Sequence, residues 1–215
     1  MKKLFTILFC ALMCFSAAAE GDSMELFIGG GFRIPTRTEI EFKKSSLDKC
    51  TRYFDTGIDI SAMGTFNNGF SVRAILDFNL TFSNIYKDTG VGFNSNVLVG
   101  LGYAPVHNKH FALGVYGMLG SDYVIDSARI ETNFNGKKKK IDVEIEYDFF
   151  VLGGNLTALY TPVDAFSIYL SATALCGFPT EAKITSKADG ESSTTTHWID
   201  FTFIFLPSIG IGWKF

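Results

Sequence analysis

The chain is poor in the features that mark many other protein classes. It has five prolines and four cysteines among 215 residues, and after residue 23 it has no run of 18 apolar residues. A helical membrane protein needs about 20 consecutive apolar residues for each span, so that class is excluded. The cysteines also lack the spacing of metal ligands. We therefore expect neither a metal site nor a cofactor.

An excess of positive charge is also missing. The chain carries 19 basic and 22 acidic residues, a net charge of −3. Without Lys2 and Lys3, which lie in the segment described next, 17 basic residues remain and the net charge is −5. Proteins that bind nucleic acid neutralise phosphates with lysine and arginine. This balance gives no electrostatic support for a nucleic-acid partner.

The N-terminus is typical of a secretion signal. Lys2 and Lys3 precede an apolar stretch, residues 4–15, and Ala17-Ala18-Ala19 offers an A-x-A cleavage site. The apolar stretch is too short to span a membrane as a helix. We expect residues 1–19 to be a cleaved signal peptide and residues 20–215 to form one exported domain.

The most abundant pattern in that domain is alternation with a period of two. From Phe70 to Phe82 every second residue is apolar, and five of the six residues between them are polar. Successive side chains of a strand point to opposite faces, so this segment has an apolar and a charged face. The segment Ile199–Phe215 repeats the pattern but contains Pro207. Because proline removes a ladder donor, we expect a β-bulge at Pro207.

Eight segments alternate in this way, and each predicts a strand. They are Met24–Ile34, Phe54–Gly64, Phe70–Phe82, Phe93–Tyr103, His110–Ser121, Tyr147–Tyr160, Phe166–Cys176 and Ile199–Phe215. The pattern is least regular in the sixth. There we place Leu152, Leu156 and Tyr160 on the apolar face and Asn155 and Thr157 on the other.

The connections alternate in length. The short ones are Asn67–Gly69, Val106–Lys109 and Pro162–Asp164, and the long polar ones are Pro35–Arg52, Ser83–Gly92, Asp122–Glu146 and Gly177–His197. Strict interleaving of short turns and long loops is typical of an even-stranded membrane barrel. The sequence therefore predicts an all-β fold, an eight-stranded antiparallel up-and-down transmembrane β-barrel.

A soluble barrel would share this fold but turn its apolar face inward around a ligand. Here the apolar face carries no charge in any strand centre, and the other face is rich in Gly, Ser, Thr and Asn with charges of both signs. Aromatic residues gather at the strand ends, as they do at the two surfaces of a bilayer. One predicted belt is Phe70, Tyr103, Phe111, Tyr160, Phe166, Trp213 and Phe215, and the other is Phe32, Phe54, Phe82 and Phe93. The apolar face is therefore predicted to meet lipid.

The end of the sequence carries a more specific resemblance. The segment Ile209-Gly210-Ile211-Gly212-Trp213-Lys214-Phe215 resembles the C-terminal signature of outer-membrane barrels. The exported domain resembles the small barrels of the OmpA membrane domain, OmpX and OmpW type. The resemblance implies residence in the lipid of the bacterial outer membrane, periplasmic termini and extracellular loops. It also implies recognition of Trp213 and Phe215 by the barrel-assembly machinery during insertion. We expect a monomer.

Charged residues on the other face should fill the barrel interior, because an eight-stranded barrel is only wide enough to hold its own side chains. The candidates are Glu25, Arg33, Asp55, Asp59, Arg73, Asp77, Asp200 and Lys214. The topology places Asp59 opposite Asp77, Glu25 near Lys214 at the inner end, and Arg33 near Asp200 at the outer end. This set can serve as a charged gate or as a structural plug of ion pairs and water, and we favour the plug.

Catalysis has little support, since the histidines His107, His110 and His197 belong to no His-x-Ser pattern. We expect no enzyme. The run Lys137–Lys140 either binds phosphates of lipopolysaccharide or an anionic host surface, or is a solvated hairpin tip. Cys50 and Cys176 remain after export, and we expect two free thiols rather than a bridge. Two functions stay open: a structural or surface-interaction role through four extracellular loops, and an OmpW-like passive channel for small molecules.

Overall fold

The computed structural model describes residues 24–42, 49–85, 88–134, 137–188 and 190–215. The predicted signal peptide, residues 1–19, lies outside this part of the chain. Among the described residues, no helix is long and apolar enough to cross a membrane.

The described chain is built from eleven strands. They are β1 (Met24–Arg33), β2 (Thr36–Glu41), β3 (Lys49–Phe66), β4 (Phe70–Ile85), β5 (Asp88–His107), β6 (Phe111–Phe134), β7 (Lys137–Val163), β8 (Phe166–Gly177), β9 (Thr180–Ala188), β10 (Glu191–Ile199) and β11 (Thr202–Lys214). Eight of them close an antiparallel ring in the order β1, β3, β4, β5, β6, β7, β8, β11. Outside the ring, β2 pairs with β3, β9 with β7 and β10 with β9. The predicted eight-stranded barrel is confirmed.

Three short turns lie at one end of the ring, which we call the turn end. They fall between the ring strands at residues 67–69, 108–110 and 164–165. In the first, Gly69 has a φ of 84°, a left-handed conformation that glycine adopts without steric cost. Its amide donates to the Phe66 carbonyl at 2.8 Å. The opposite end, with the long connections, is the loop end.

The alternation in β4 maps directly onto the two faces of the wall. Arg73, Asp77 and Asn79 are buried, whereas Phe78 and Leu80 are exposed on the outside. The apolar positions of this strand span twelve residue steps, which is about 40 Å along a strand. At a strand tilt of about 40° this corresponds to roughly 30 Å across a bilayer, close to the thickness of its hydrocarbon core.

In β7 the less regular pattern follows the predicted phase. Leu152, Leu156 and Tyr160 are exposed, whereas Asn155 and Thr157 are buried. The prediction for this strand is therefore confirmed.

The long connections differ from the prediction, because most of their described residues are β structure rather than polar loop. The largest, Asp122–Glu146, continues β6 and β7 as one hairpin. The pairing of these strands runs without a shift from Phe111 opposite Tyr160 to Phe134 opposite Lys137. Strands β2, β9 and β10 lie in two other long connections.

These extensions form because their hydrophobic pattern is also periodic, but with the opposite phase. In the loop-end half of β7, Val143, Ile145 and Tyr147 are buried, whereas Asp142 and Glu144 are exposed. The strand keeps the same faces throughout, since its register with β6 is unbroken. Apolar side chains thus point outward near the turn end and inward near the loop end. We call the inverted part the cap: β2, β9, β10, residues 122–134 of β6 and residues 137–148 of β7.

The cap has an apolar core that is continuous with the interior of the ring. Its inward side chains pack with those of β11 and with Phe149 in one buried cluster. The members include Ile40, Phe42, Val124, Val143, Ile145, Tyr147, Ala182, Ile184, Ile199, Ile204 and Leu206. Burial of apolar area is the main favourable term in folding. The cap is therefore stabilised in the same way as a soluble domain.

The predicted bulge at Pro207 is wrong. β8 and β11 pair in unbroken register from Thr202 to Trp213, with Pro207 opposite Ala172. In an antiparallel ladder one residue directs its N–H and C=O to the same neighbour. The Pro207 carbonyl accepts from the Ile34 amide at 2.9 Å, so the missing donor also faces β1. That strand ends at Arg33, and no bond to β8 is lost.

Two adjacent phenylalanines test which face of β7 points inward and which points outward. Phe149 is 0% exposed in the inner cluster and Phe150 is 56% exposed on the outside. Phe149→Ala should lower the free energy of unfolding by about 3–5 kcal/mol, as expected for a cavity in a packed core. Phe150→Ala, the matched control, should cost clearly less. Reversible urea unfolding in lipid vesicles measures both, and equal losses would contradict the assigned faces.

Candidate functional site: the barrel interior and the cap

Five of the eight candidate interior charges are buried together in the barrel: Arg33, Asp55, Asp59, Arg73 and Asp77. Two others, Glu25 and Lys214, lie at the turn end, where Lys214 Nζ and Glu25 Oε2 are 2.7 Å apart. The last, Asp200, is half-buried in the connection between β10 and β11.

The predicted pair of Arg33 with Asp200 is wrong. The Arg33 guanidinium instead donates to Asp77 Oδ2, inside the barrel. In the register of β1 and β11, Arg33 lies opposite Ser208. Asp200 is eight residues away from Ser208, about 26 Å along an extended strand. The alternation in the sequence predicted that both residues face inward. It did not show the stagger between β1 and β11, which sets the distance between the two residues.

Asp59 lies directly opposite Asp77 in the ladder between β3 and β4, as the topology predicted. Tyr169, from β8, reaches across the interior and donates to Asp59 Oδ2 at 2.6 Å. Gly31 leaves room for this contact. A Cβ at Gly31 would come within 2.4 Å of the Tyr169 hydroxyl and 2.7 Å of Asp59 Oδ1.

Arg73 connects opposite walls of the barrel. From β4 it donates to the Thr157 hydroxyl on β7 and, at 3.3 Å, to Ser171 Oγ on β8. Its guanidinium carbon lies 5.7 Å from the centre of the Tyr116 ring, within the range of a cation–π interaction. Arg73 thus stabilises the cross-section without a carboxylate contact at hydrogen-bond distance.

Large side chains from several strands fill the interior around Arg73. Tyr116, Tyr169, Leu98 and Met118 are each at most 2% exposed. The Tyr116 hydroxyl donates to Met63 Sδ at 2.8 Å. Such packing is expected of a ring of eight strands, and it favours the plug over the gate.

A third group, missed from the sequence, is an amide network nearer the cap. Asn94 Oδ1 accepts from Asn79 at 3.1 Å and from Asn96 at 2.9 Å, and its Nδ2 donates to Asp122 at 2.6 Å. The connection lengths place Asp122 in a loop, so its inward position does not follow from them. Its place directly after the alternating segment His110–Ser121 is the signal that could have found it.

The aromatic residues of the turn end form pairs between neighbouring strands. Phe70 lies opposite Tyr103, Phe111 opposite Tyr160, and Phe166 opposite Trp213. The rings of Phe166 and Trp213 meet edge to face, with centroids 6.4 Å apart. Phe215 is exposed, and its main chain exchanges two hydrogen bonds with Leu26. The two ends of the described chain therefore meet where the ring closes.

The outer belt is larger than predicted. Phe32, Phe82 and Phe93 are exposed as expected, and the side chain of Phe54 lies outside the described residues. Three further rings, those of Phe150, Phe178 and Phe201, contact one another, with successive centroids 5.7 Å apart. They lie where the phase of the hydrophobic pattern inverts.

No protein-family model and no curated protein matches this chain. Solved structures do. The outer membrane protein OprG from Pseudomonas aeruginosa matches with a TM-score of 0.58 at 16% identity, over 90% of this chain and 97% of that chain. A major outer membrane protein from Thermus thermophilus matches with a TM-score of 0.58 at 12% identity, over 90% of this chain and 100% of that chain. This chain has the fold of a small outer-membrane β-barrel.

In an outer-membrane barrel the outer face must change from apolar to polar at the membrane surface. On β7 the change falls between Phe150 and Asp148, both of which are exposed. The Phe150, Phe178 and Phe201 rings mark the same level. The cap therefore lies beyond the hydrocarbon core, in water.

The outer surface of the cap contains a cleft of about 370 Å³ between β5, β6, β7 and β9. Its charged lining forms a row across three strands, with Asp142 opposite both Arg129 and Lys187. Arg129 holds Asp142 with two hydrogen bonds, of 2.6 and 3.3 Å. This contact lowers the pKa of the Asp142 carboxyl. The cleft offers both signs of charge and, from Ser127 and Thr185, two hydroxyl groups.

Other candidate groups are separate from this cleft. His107 and His110 lie at the turn end and His197 in β10. Cys176 is an exposed free thiol, whereas the side chain of Cys50 lies outside the described residues. In the described part of the chain, no three His, Cys, Asp or Glu side chains could hold a metal ion.

The Arg33–Asp77 pair can be tested by substitution. Arg33→Met should lower the free energy of unfolding by about 3–5 kcal/mol, because it leaves a buried carboxylate without its cation. Adding Asp77→Asn should recover most of the loss. Asp200→Asn, the control for the rejected pair, keeps the oxygen that accepts from the Phe201 amide and should cost clearly less than Arg33→Met. A large loss from Asp200→Asn, with little from Arg33→Met, would restore the pair predicted from the sequence.

Proposed function

We propose that this protein is an anchored surface-interaction protein whose barrel holds the cap outside the membrane. The observation that carries the proposal is the apolar core of the cap. Flexible loops would need no such core, whereas a binding surface that keeps its shape gains from one. The filled interior below it, with Arg73 and Tyr169 crossing the lumen, suits an anchor better than a conduit.

The proposed setting is the bacterial outer membrane, with both termini in the periplasm and the cap outside the cell. The inverted pattern supports it, because the polar outer surface of the cap needs water. The proposal includes a signal peptide cleaved after residue 19, a barrel domain over residues 20–215, and a monomer. Trp213, on the last strand, and Phe215, directly after it, are both exposed, and they are the proposed signal for the barrel-assembly machinery.

The proposed binding surface is the cleft around Arg129, Asp142 and Lys187. Its residues alternate in charge, so the fitting ligand is polar and carries charges of its own. An extracellular ligand or a host surface meets that description. Lys140 lies 3.5 Å from Glu131, which reduces the case for the Lys137–Lys140 run as a free anion site. The side chains of residues 137–139 lie outside the described set.

A passive channel is the second candidate, and one observation favours it. At the loop end β2 pairs with β3 but forms no ladder with the facing residues of β11, 202–206. The gap is bounded by the Ile34–Pro207 hydrogen bond below and by that between Asp200 and Glu41 above. The missing ladder weakens the wall at this gap, and this favours the channel. Behind the gap the interior is packed, because Ile40, Ile204 and Leu206 are buried there.

Planar-bilayer recording separates the two functions. The folded protein should give no conductance steps, because buried side chains occupy the cross-section. Arg73→Ala removes the side chain that crosses the lumen, so it is the variant most able to open a path for ions. Its conductance is compared with that of the wild-type protein. Regular steps from the wild-type protein, together with solute uptake by liposomes, would support the channel instead.

Surface labelling tests the orientation. Thr194, on β10 of the cap, and Asn108, at the turn end, are both exposed. In a background with Cys50→Ser and Cys176→Ser, Thr194→Cys should react with a membrane-impermeant maleimide on intact cells. Asn108→Cys should react only after the outer membrane is permeabilised. The reverse result would place the cap in the periplasm and refute the proposed binding role.

A further inference from the structure

The outward side chains of the cleft form two rows that cross β6, β7 and β9. Residues of one row lie directly opposite one another in the two ladders, and the rows are two residues apart along each strand. The row nearer the membrane, the Glu144 row, consists of Ser127, Glu144 and Thr185, and the Asp142 row consists of Arg129, Asp142 and Lys187. Two residues along a strand span about 7 Å, so the rows are separated by roughly that distance.

The Glu144 row offers oxygen atoms and one negative charge. Glu144 is exposed, and its carboxylate has no hydrogen bond or ion pair within the part of the chain that the structure describes. Ser127 and Thr185 lie opposite it on either side, and Thr185 Oγ1 also hydrogen-bonds Thr194 Oγ1 at 3.2 Å. An ammonium group has three donors and no acceptor, so a carboxylate between two hydroxyl groups suits it.

The Asp142 row offers a positive charge. Arg129 holds Asp142 with hydrogen bonds of 2.6 and 3.3 Å, so these two charges compensate each other. Lys187 lies opposite Asp142 on the other side. It is exposed, and its ammonium group makes no hydrogen bond or ion pair with any described residue. Its charge is therefore available to an anionic group of a ligand.

The next row toward the membrane shows a different arrangement of the same charges. There Glu146 lies directly opposite Lys183 and accepts from the Tyr123 hydroxyl at 2.9 Å. In the cleft the acid and the base are diagonal neighbours, because Glu144 lies opposite Thr185 and Lys187 is two residues further along β9. Diagonal neighbours of a ladder are about 7–8 Å apart. The cleft thus presents a negative and a positive group side by side, with space between them.

From this arrangement we infer that the cleft binds a short peptide by its two charged ends, with the ammonium group at Glu144 and the carboxylate at Lys187. The inference rests on the proposed function, which makes this cleft the binding surface. The ends of an extended dipeptide or tripeptide are about 7–10 Å apart, which matches the spacing of the two groups. A single amino acid holds its charges too close together to reach both. The cleft volume of about 370 Å³ lies within the range of small-ligand sites.

Calorimetric titration of the folded protein, in micelles of a non-ionic detergent, tests the ligand class with triglycine as the probe. Acetylated triglycine lacks the ammonium charge, triglycine amide lacks the carboxylate, and free glycine is too short. Triglycine should bind saturably, and each of the other three should bind about fivefold more weakly, as expected for the loss of one exposed ion pair. No saturable binding of triglycine, or equal affinity for all four probes, would overturn the inference.

Two substitutions assign the ends of the peptide. Glu144→Gln should weaken triglycine and triglycine amide but leave acetylated triglycine unchanged, because that probe has no ammonium group to lose. Lys187→Gln should weaken triglycine and acetylated triglycine but leave the amide unchanged. Lys183→Gln, a control on the same face of β9 outside the cleft, should change none of them. Equal losses for all three peptides in Glu144→Gln or in Lys187→Gln would refute recognition of the separate ends.

Labelling of Thr194→Cys distinguishes failure of this inference from failure of the function on which it rests. A cap that is labelled on intact cells, in a protein that does not discriminate between the probes, would overturn the peptide ligand and leave the surface role intact. A cap that is labelled only after permeabilisation would refute the surface role, a result independent of how triglycine binds. Electrophoretic mobility without heating checks that each variant is folded.

Discussion

Each long strand of this protein runs from lipid into water, and the structure depends on how its outer side chains match each of the two. In the lipid-facing part the main chain can be satisfied only by a closed ring, and the outer side chains are apolar. Beyond the membrane surface the same strands present charge outside and apolar residues inside. The run Phe149–Leu152 is apolar at every position because it lies where one pattern gives way to the other.

The interior follows from the small size of the ring. Eight strands leave room for side chains only, and polar side chains there must find their partners within the barrel. Arg73 does so across the lumen, Arg33 does so with Asp77, and Asn94 does so with two other amides and Asp122. The interior of the barrel is thus filled by its own side chains. In the function proposed above, the barrel is the anchor and the cap carries the binding surface.

The ring itself was predictable because alternation with period two, as in Phe70–Phe82, has only one structural meaning over that length. The cap was not predicted, although Val143, Ile145 and Tyr147 alternate with acidic residues just as regularly. The prediction identified each strand by its apolar outer face. It therefore missed the strand segments of the cap, because their outer face is polar. Contacts such as Arg33 with Asp77 depend on strand stagger and on side chains that cross the lumen, which a single sequence does not encode locally. Pro207 illustrates the same limit, since its effect depends on where the neighbouring strand ends.

The central claim is that the outer face of β6 meets lipid from residue 111 to residue 121 and meets water beyond residue 121. Nitroxide labels placed singly along β6 would measure it, through their accessibility to dissolved oxygen and to a polar relaxation agent. Oxygen accessibility should peak at odd positions from 111 to 119 and fall at the even positions between them. At residues 127 and 129 accessibility to the polar agent should take over on the same face. Oxygen accessibility that peaked at the even positions, or continued unchanged through residue 129, would contradict the account.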